Sequence, residues 1–376
     1  MKRLLSLVCC LVLVASAGAA DSVERPAAPR MPRIEVCFVL DTTGSMSGLI
    51  EGAKEKIWAI ANEMIAAKPT PELRLALVGY RDRGDEYVTR VTDLTDDIDA
   101  IHAQLMKFSA GGGGDGPESV NQALHEAVTK IGWSDDRDVL KIVFLVGDAP
   151  PHMDYEQDVR YPEVCQAAVK RDLVINAVQC GQQADTARVW QEIAKLGEGK
   201  YIPLVQTGGM VQIAAPQDDA IAEINREIGG TLIAYGDAAK RKGVHDKQAA
   251  AEAAAPAAAA DRLAFNASTG RAVQGGGELL DALDRGEVDL ATLPADVLPE
   301  EFRGMTKEQR EARVAAKRKE RKGLQERLDK LLAARAEHVA AERRRLAADG
   351  KADAFDAEVA KTVRDQAGRK GIDYAR

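Results

Sequence analysis

The segment Phe38-Val39-Leu40-Asp41-Thr42-Thr43-Gly44-Ser45-Met46-Ser47 runs from apolar residues straight onto a carboxylate, and hydroxyls follow at alternate positions. Asp41, Thr43 and Ser45 offer only oxygen, the donor that Mg²⁺, Mn²⁺ and Ca²⁺ require. They sit where a strand would end and a helix begin, the edge at which open α/β sheets gather ligands. By itself the pattern also suits an ordinary strand-to-helix turn or helix cap. Two later segments strengthen the cation reading. Gly111-Gly112-Gly113-Gly114-Asp115-Gly116-Pro117-Glu118 is a loop free enough to bring backbone and Asp115 against a ligand. The apolar run 139–146 reads as a buried strand and ends in Gly147-Asp148-Ala149-Pro150-Pro151.

The elements that must position these loops are legible in outline. Residues 34–40 form a nearly continuous apolar run, as a strand buried on both faces requires. Over 47–67, Leu49, Ile50, Ile57, Ile60, Met64 and Ile65 recur at helical spacing, and Pro69 and Pro71 stop the helix. Strands are predicted at 73–80 and 87–91, and the short turn between them implies an antiparallel hairpin. Helices follow at 96–108 and 118–131, then strand 139–146, helix 159–171, strand 173–179, helix 186–196, strand 201–205 and a closing helix at 220–232. Strands alternating with helices give a mostly parallel six-stranded α/β sheet covered on both faces. No Gly-x-Gly-x-x-Gly follows the first strand, so nucleotide binding has no support.

On these three motifs the chain resembles the von Willebrand factor type A family, across roughly residues 33–236. Asp41, Thr43 and Ser45 are similar to the family's Asp-x-Ser/Thr-x-Ser, and Asp148 to the acidic residue after the central strand. Asp115 lies where the family usually supplies a threonine, and the extra negative charge would make the cation less electrophilic toward an acidic partner. The resemblance implies a doubly wound, Rossmann-like sheet with one antiparallel edge strand and a metal-ion-dependent adhesion site. It further implies that Thr43 and Ser45 bind the cation directly, Asp41 and Asp148 mainly through water, and Asp115 either way, and that a partner's carboxylate fills the open position.

Composition and termini bound the rest. The chain has 376 residues, a net charge of −8 and a pI near 5.4, which argue against a general nucleic-acid binder. Met1-Lys2-Arg3, the apolar stretch from Leu4 and the small residues up to Ala20 make up the three parts of a signal peptide over 1–20, cleaved near Ala19 or Ala20. Export to the periplasm or beyond is therefore expected. Cleavage leaves Cys37, Cys165 and Cys180, read as buried small hydrophobes rather than a disulfide or zinc set. Arg83-Gly84-Asp85, a tripeptide some integrins recognise, is read as the hairpin connection, and His152 as a solvent-exposed loop histidine.

Residues 237–277, almost all alanine over 247–260 and closing on Gly275-Gly276-Gly277, read as an Ala/Gly-rich linker, in part helical. Residues 278–376 read as a charged helical region. Between 301 and 345 there are 15 basic and 8 acidic residues, with a thin stripe of Leu324, Leu328, Leu331 and Val339. A long solvated helix or hairpin fits; a coiled coil lacks sustained heptads, and membrane contact by the basic face is the lesser reading. On this view residues 21–240 fold without the remainder. The leading functional expectation is an exported, metal-dependent protein-binding module and not an enzyme. The alternatives are a metal-dependent hydrolase, with Glu118 or His152 as general base, and an accessory subunit of an ATPase complex.

Overall fold

The structure, a computed structural model, describes residues 31–114, 116–350 and 354–374. The expected signal peptide at 1–20 and the candidate ligand Asp115 both lie outside the described residues. Six strands, β1 (Arg33–Asp41), β2 (Glu72–Tyr80), β3 (Thr89–Thr95), β4 (Leu140–Gly147), β5 (Leu173–Cys180) and β6 (Glu198–Leu204), form one sheet in the order β3-β2-β1-β4-β5-β6. Only β3 is antiparallel, paired to β2 at the edge. The chain winds outward from β1 to one side and from β4 to the other, so the topological switch point falls between these two strands.

Side chains of β1 alternate between two cores, as the two-residue period of a strand demands. Ile34, Val36, Phe38 and Leu40 face α1 (Ser47–Met64) and α2 (Ile98–Leu105), whereas Cys37 and Val39 face α3 (Val120–Thr129), α4 (Tyr161–Lys170) and α5 (Ala184–Leu196). Among the described residues, Cys37, Cys165 and Cys180 are buried and unbridged, and burial pushes the Cys165 thiol up to about 12. The expected α/β sheet and hairpin are thus present, with boundaries shifted by a few residues.

The region after α6 (Asp218–Gly229) departs from expectation. Residues 237–277 are not a linker: they fold into α7 (Ala238–Ala253) and α8 (Pro256–Thr269), and Ala257, Ala258, Ala259, Ala260, Leu263 and Phe265 are buried. Alanine is the best helix former, and its small side chain lets α8 lie close against α1 and α6. After α9 (Leu279–Asp284), the 42-residue α10 (Lys307–Ala348) starts on a capping box of Thr306 and Gln309. Its leucines are not a solvated stripe, since Leu324 and Leu328 are buried against Ile221, Ile224 and Ile228 of α6. Arg335 reaches from α10 to Asp218 (2.6 Å) and Asp261 (2.7 Å), all buried. From α11 (Ala354–Ala367), Phe355, Val359 and Val363 join the α1-side core together with Phe265 and Ile372. All the described residues fall within one compact unit.

Candidate metal centre

Register brings the two acidic strand ends together. Leu40 of β1 pairs with Val146 of β4, so Asp41 and Asp148 leave adjacent parallel strands at the switch point. Asp41 is fully buried, and its Oδ1 accepts both the Thr43 N–H (2.8 Å) and the Thr43 hydroxyl (2.6 Å). This local bonding turns the chain sharply, and the Thr43 and Ser45 hydroxyls end 3.4 Å apart. A short 3₁₀ turn, Gly44–Met46, then leads into α1, whose N-terminus lies beside this loop. Asp148 Oδ2 accepts the Gln206 amide at 2.6 Å, and its carbonyl accepts the Thr186 hydroxyl at 2.9 Å.

The glycine loop is stitched to the same place. Gly111 N–H donates to Thr42 O (3.1 Å), Gly44 N–H to Gly112 O (3.4 Å), and Gly113 N–H to Asp85 Oδ2 (3.1 Å). Gly113 has φ +80°, and a Cβ there would meet Glu118 Oε1 at 3.3 Å and Thr43 Cβ at 3.4 Å. Gly147 is a second required glycine, because a Cβ would stand 2.4 Å from the Tyr80 hydroxyl and 3.2 Å from Asp41 Oδ2. Buried Arg81 donates to Thr42 O (3.1 Å) and Ser109 O (2.6 Å), fixing the spacing of both loops.

Asp41, Thr43 and Ser45 are thus held in one turn, with Asp148 at the end of the adjacent strand. Glu118, which the sequence already placed with the glycine loop, belongs to the same neighbourhood, as do Tyr80, Gln206 and Arg81, for which no spacing signal existed. His152 is buried rather than exposed: one ring nitrogen lies 2.8 Å from Asp154 and the other 3.4 Å from Asp82, with the ring stacked on Tyr155. Asp82 also accepts from Ser119 and Tyr155, so His152 belongs to a structural network. Arg83 pairs with Asp158 and Asp85 with the glycine loop, which ties Arg83-Gly84-Asp85 into the fold as a connection.

Electrostatically the site is short of positive charge. Burial, opposed by the Thr43 hydrogen bonds and assisted by Asp148, pushes the Asp41 carboxyl up to about 7. Burial first, and then the charges of Asp41, Asp82, Asp85 and Asp148, push Glu118 up to about 9. Asp41 Oδ2, Glu118 Oε2 and the Tyr80 hydroxyl are buried with no hydrogen-bond partner. Among the described residues, no group of three or more His, Cys, Asp or Glu is arranged to hold a metal, but this donor set is half hydroxyl. Oxygen donors beside an orphaned carboxylate oxygen suit a hard divalent cation.

Residues 35–214 match the family model of the von Willebrand factor A domain. The match spans a little under half of the chain and takes in nearly all of the six-stranded sheet. Over 193 residues the chain is 22% identical to an ariadne-like RING finger protein of Acanthamoeba polyphaga mimivirus, a match covering 46% of this chain and 18% of that protein's length. Among solved structures, it is similar to BatB from Bacteroides thetaiotaomicron, at 16% identity and a TM-score of 0.35 over 46% of this chain and 90% of that one. It is likewise similar to proximal thread matrix protein 1 of the mussel byssus, in a form with a zinc-occupied MIDAS motif. There the identity is 16% and the TM-score 0.34, over 46% and 42% of the two chains.

Proposed function

We propose that the domain is a divalent-cation-dependent protein-binding module whose partner presents a carboxylate. Asp41, Thr43, Ser45 and Asp148 would hold the cation, Mg²⁺ or else Mn²⁺ or Ca²⁺, with Asp115 a further candidate from the glycine loop. The observation that carries this reading is Asp41 Oδ2, a fully buried carboxylate oxygen with no partner, beside the Thr43–Ser45 hydroxyl pair and at the switch point. Neutral hydroxyls leave more of a cation's charge available than carboxylates would, and bound there it supplies the positive charge on which an anionic group docks. The signal-peptide pattern of residues 1–20 supports export to the periplasm or beyond, which cell fractionation tests.

Titration calorimetry with MgCl₂ and MnCl₂ tests the cation. Wild type should bind, and Asp41→Ala should lose binding while its circular dichroism stays native. Unchanged affinity in that variant removes the central claim. A pull-down from envelope extract, with and without chelator, tests the partner; capture that is indifferent to chelator removes the cation-dependent part.

A further inference from the structure

The alanine run makes a cavity as well as a contact. Where α7 leads into α8, Ala250, Ala251, Ala254, Ala255 and Ala258 line a space of about 680 Å³ whose other walls come from α1 and α2. Methyl groups are too short to fill it, and its volume falls within the range of small-molecule sites, about 300 to 1,000 Å³. Trp58 of α1 stacks on His102 of α2 with ring centroids 4.1 Å apart, and both line the cavity together with the exposed Met106. Trp58 and Arg262, 2% and 1% exposed, belong to its inner wall. Each of these two brings a hydrogen-bond donor that the protein leaves unused, because Trp58 Nε1 and Arg262 Nη1 are buried with no partner.

A buried donor left unmet is costly, and indole and guanidinium nitrogens can only donate, so what answers them carries an acceptor. The charges decide between a neutral acceptor and an anion. Arg262 already grips Asp99 through Nε and Nη2 at 2.8 and 2.7 Å, Lys54 pairs with Glu51 at 2.8 Å, and Lys247 pairs with Asp97. Every basic group in the lining is thus matched by a carboxylate, and Glu55 and Asp246 add further negative charge at the rim. Burial holds His102 below the ordinary imidazole range, so its ring supplies no positive charge near pH 7. An anion would enter a lining that is already negative; a neutral oxygen would not. We propose that the cavity between α1, α2, α7 and α8 binds a neutral, mainly apolar small molecule through a carbonyl or ether oxygen that accepts from the buried nitrogens of Trp58 and Arg262. Asp41, Thr43, Ser45 and Asp148 do not line this cavity, so the inference stands apart from the cation reading.

The probes are acetophenone, its isostere α-methylstyrene, in which a CH₂ replaces the carbonyl oxygen, and benzoate as the anion. NMR of the chain with ¹⁵N-labelled tryptophan, in chelator, reads the indole N–H signals of its 3 tryptophans, and Trp58→Phe assigns the decisive one by its loss. Acetophenone should displace the Trp58 signal saturably and move its proton downfield, the mark of a new hydrogen bond. At equal concentration, α-methylstyrene and benzoate should each bind about tenfold more weakly, the order of one buried donor left unmet. Ala254→Phe, which places a ring in the space, should abolish the acetophenone shift while circular dichroism stays native. Equal affinity for acetophenone and α-methylstyrene would leave the donors without a role and overturn the proposal. Tighter binding of benzoate, or no saturable shift with acetophenone, would overturn it as well. Should Trp58→Phe not fold, equilibrium dialysis of acetophenone against wild type and Ala254→Phe decides in its place, and equal uptake by the two sinks the inference.

Discussion

Glu278 and Asp281 share one cation, the buried guanidinium of Arg321, which donates to Glu278 at 2.9 and 3.0 Å and to Asp281 at 3.2 Å. For Glu278, burial works upward, but the Arg321 hydrogen bonds and charge win and hold it below the ordinary range. For Asp281, burial and then the charge of Glu278 win, and its carboxyl is pushed up to about 6. A raised carboxyl contributes stability that is fully present below its unfolded value, near 4, and is lost as pH rises through about 6. Asp281→Asn removes that loss. Relative to wild type, the variant should therefore gain about 1 to 3 kcal/mol between pH 4.5 and pH 7 in urea unfolding. An equal difference at both pH values would mean that Asp281 is ionised throughout. The same contrast explains what was legible in the candidate site. Asp41, Thr43 and Ser45 lie within five residues and bond to one another locally, so their spacing carries the information. Tyr80 and Gln206 reach the site through strand register and loop packing, which a linear pattern does not record.

At the scale of elements, strand and helix periods read correctly where apolar residues are large, as in β1 and α1. The alanine run misled because low side-chain volume looks like the absence of a core. Alanine methyls do bury little area each, but they allow three helices to approach, and the apolar bulk comes from the neighbours. Ala260 is fully buried in the cluster where Ile221, Ile224 and Ile228 of α6 and Leu324 and Leu328 of α10 meet α8. Ala260→Leu would force that junction apart. It should cost about 1 to 3 kcal/mol by urea unfolding, the usual penalty for overpacking. A change within about 0.5 kcal/mol, the range of surface substitutions, would show that α8 is loosely seated.

For the whole molecule, the question is whether the family domain is the folding unit. The matched segment ends at residue 214, yet the α1 face of the sheet is completed by residues beyond it. Phe265, Phe355, Val359, Val363 and Ile372 share one core with Ile34, Val36 and Phe38. Polar ties reinforce it: Arg262 grips Asp99 with two hydrogen bonds of 2.8 and 2.7 Å, Lys56 pairs with Asp356 at 2.9 Å, and Asn176 and Gln366 exchange amide hydrogen bonds. All these groups are buried, so truncation removes partners without restoring water to every side chain left behind. Cutting the chain after residue 236 should therefore expose a contiguous apolar face and leave Asp99 without its guanidinium. The expected result is a fragment that melts well below the intact protein and aggregates, read by scanning calorimetry and light scattering. The loops of the candidate cation site lie at the carboxyl edge of β1 and β4, and the hydrogen bonds that Asp41, Thr43 and Asp148 make there come from residues before 236, with Phe355 touching the neighbouring segment only through Gly208 O. Whatever fraction of the fragment stays folded should thus still bind Mn²⁺. A fragment that melts cooperatively within a few degrees of the full chain would mean that the helices beyond α6 are accessories, and that the sheet closes its own core.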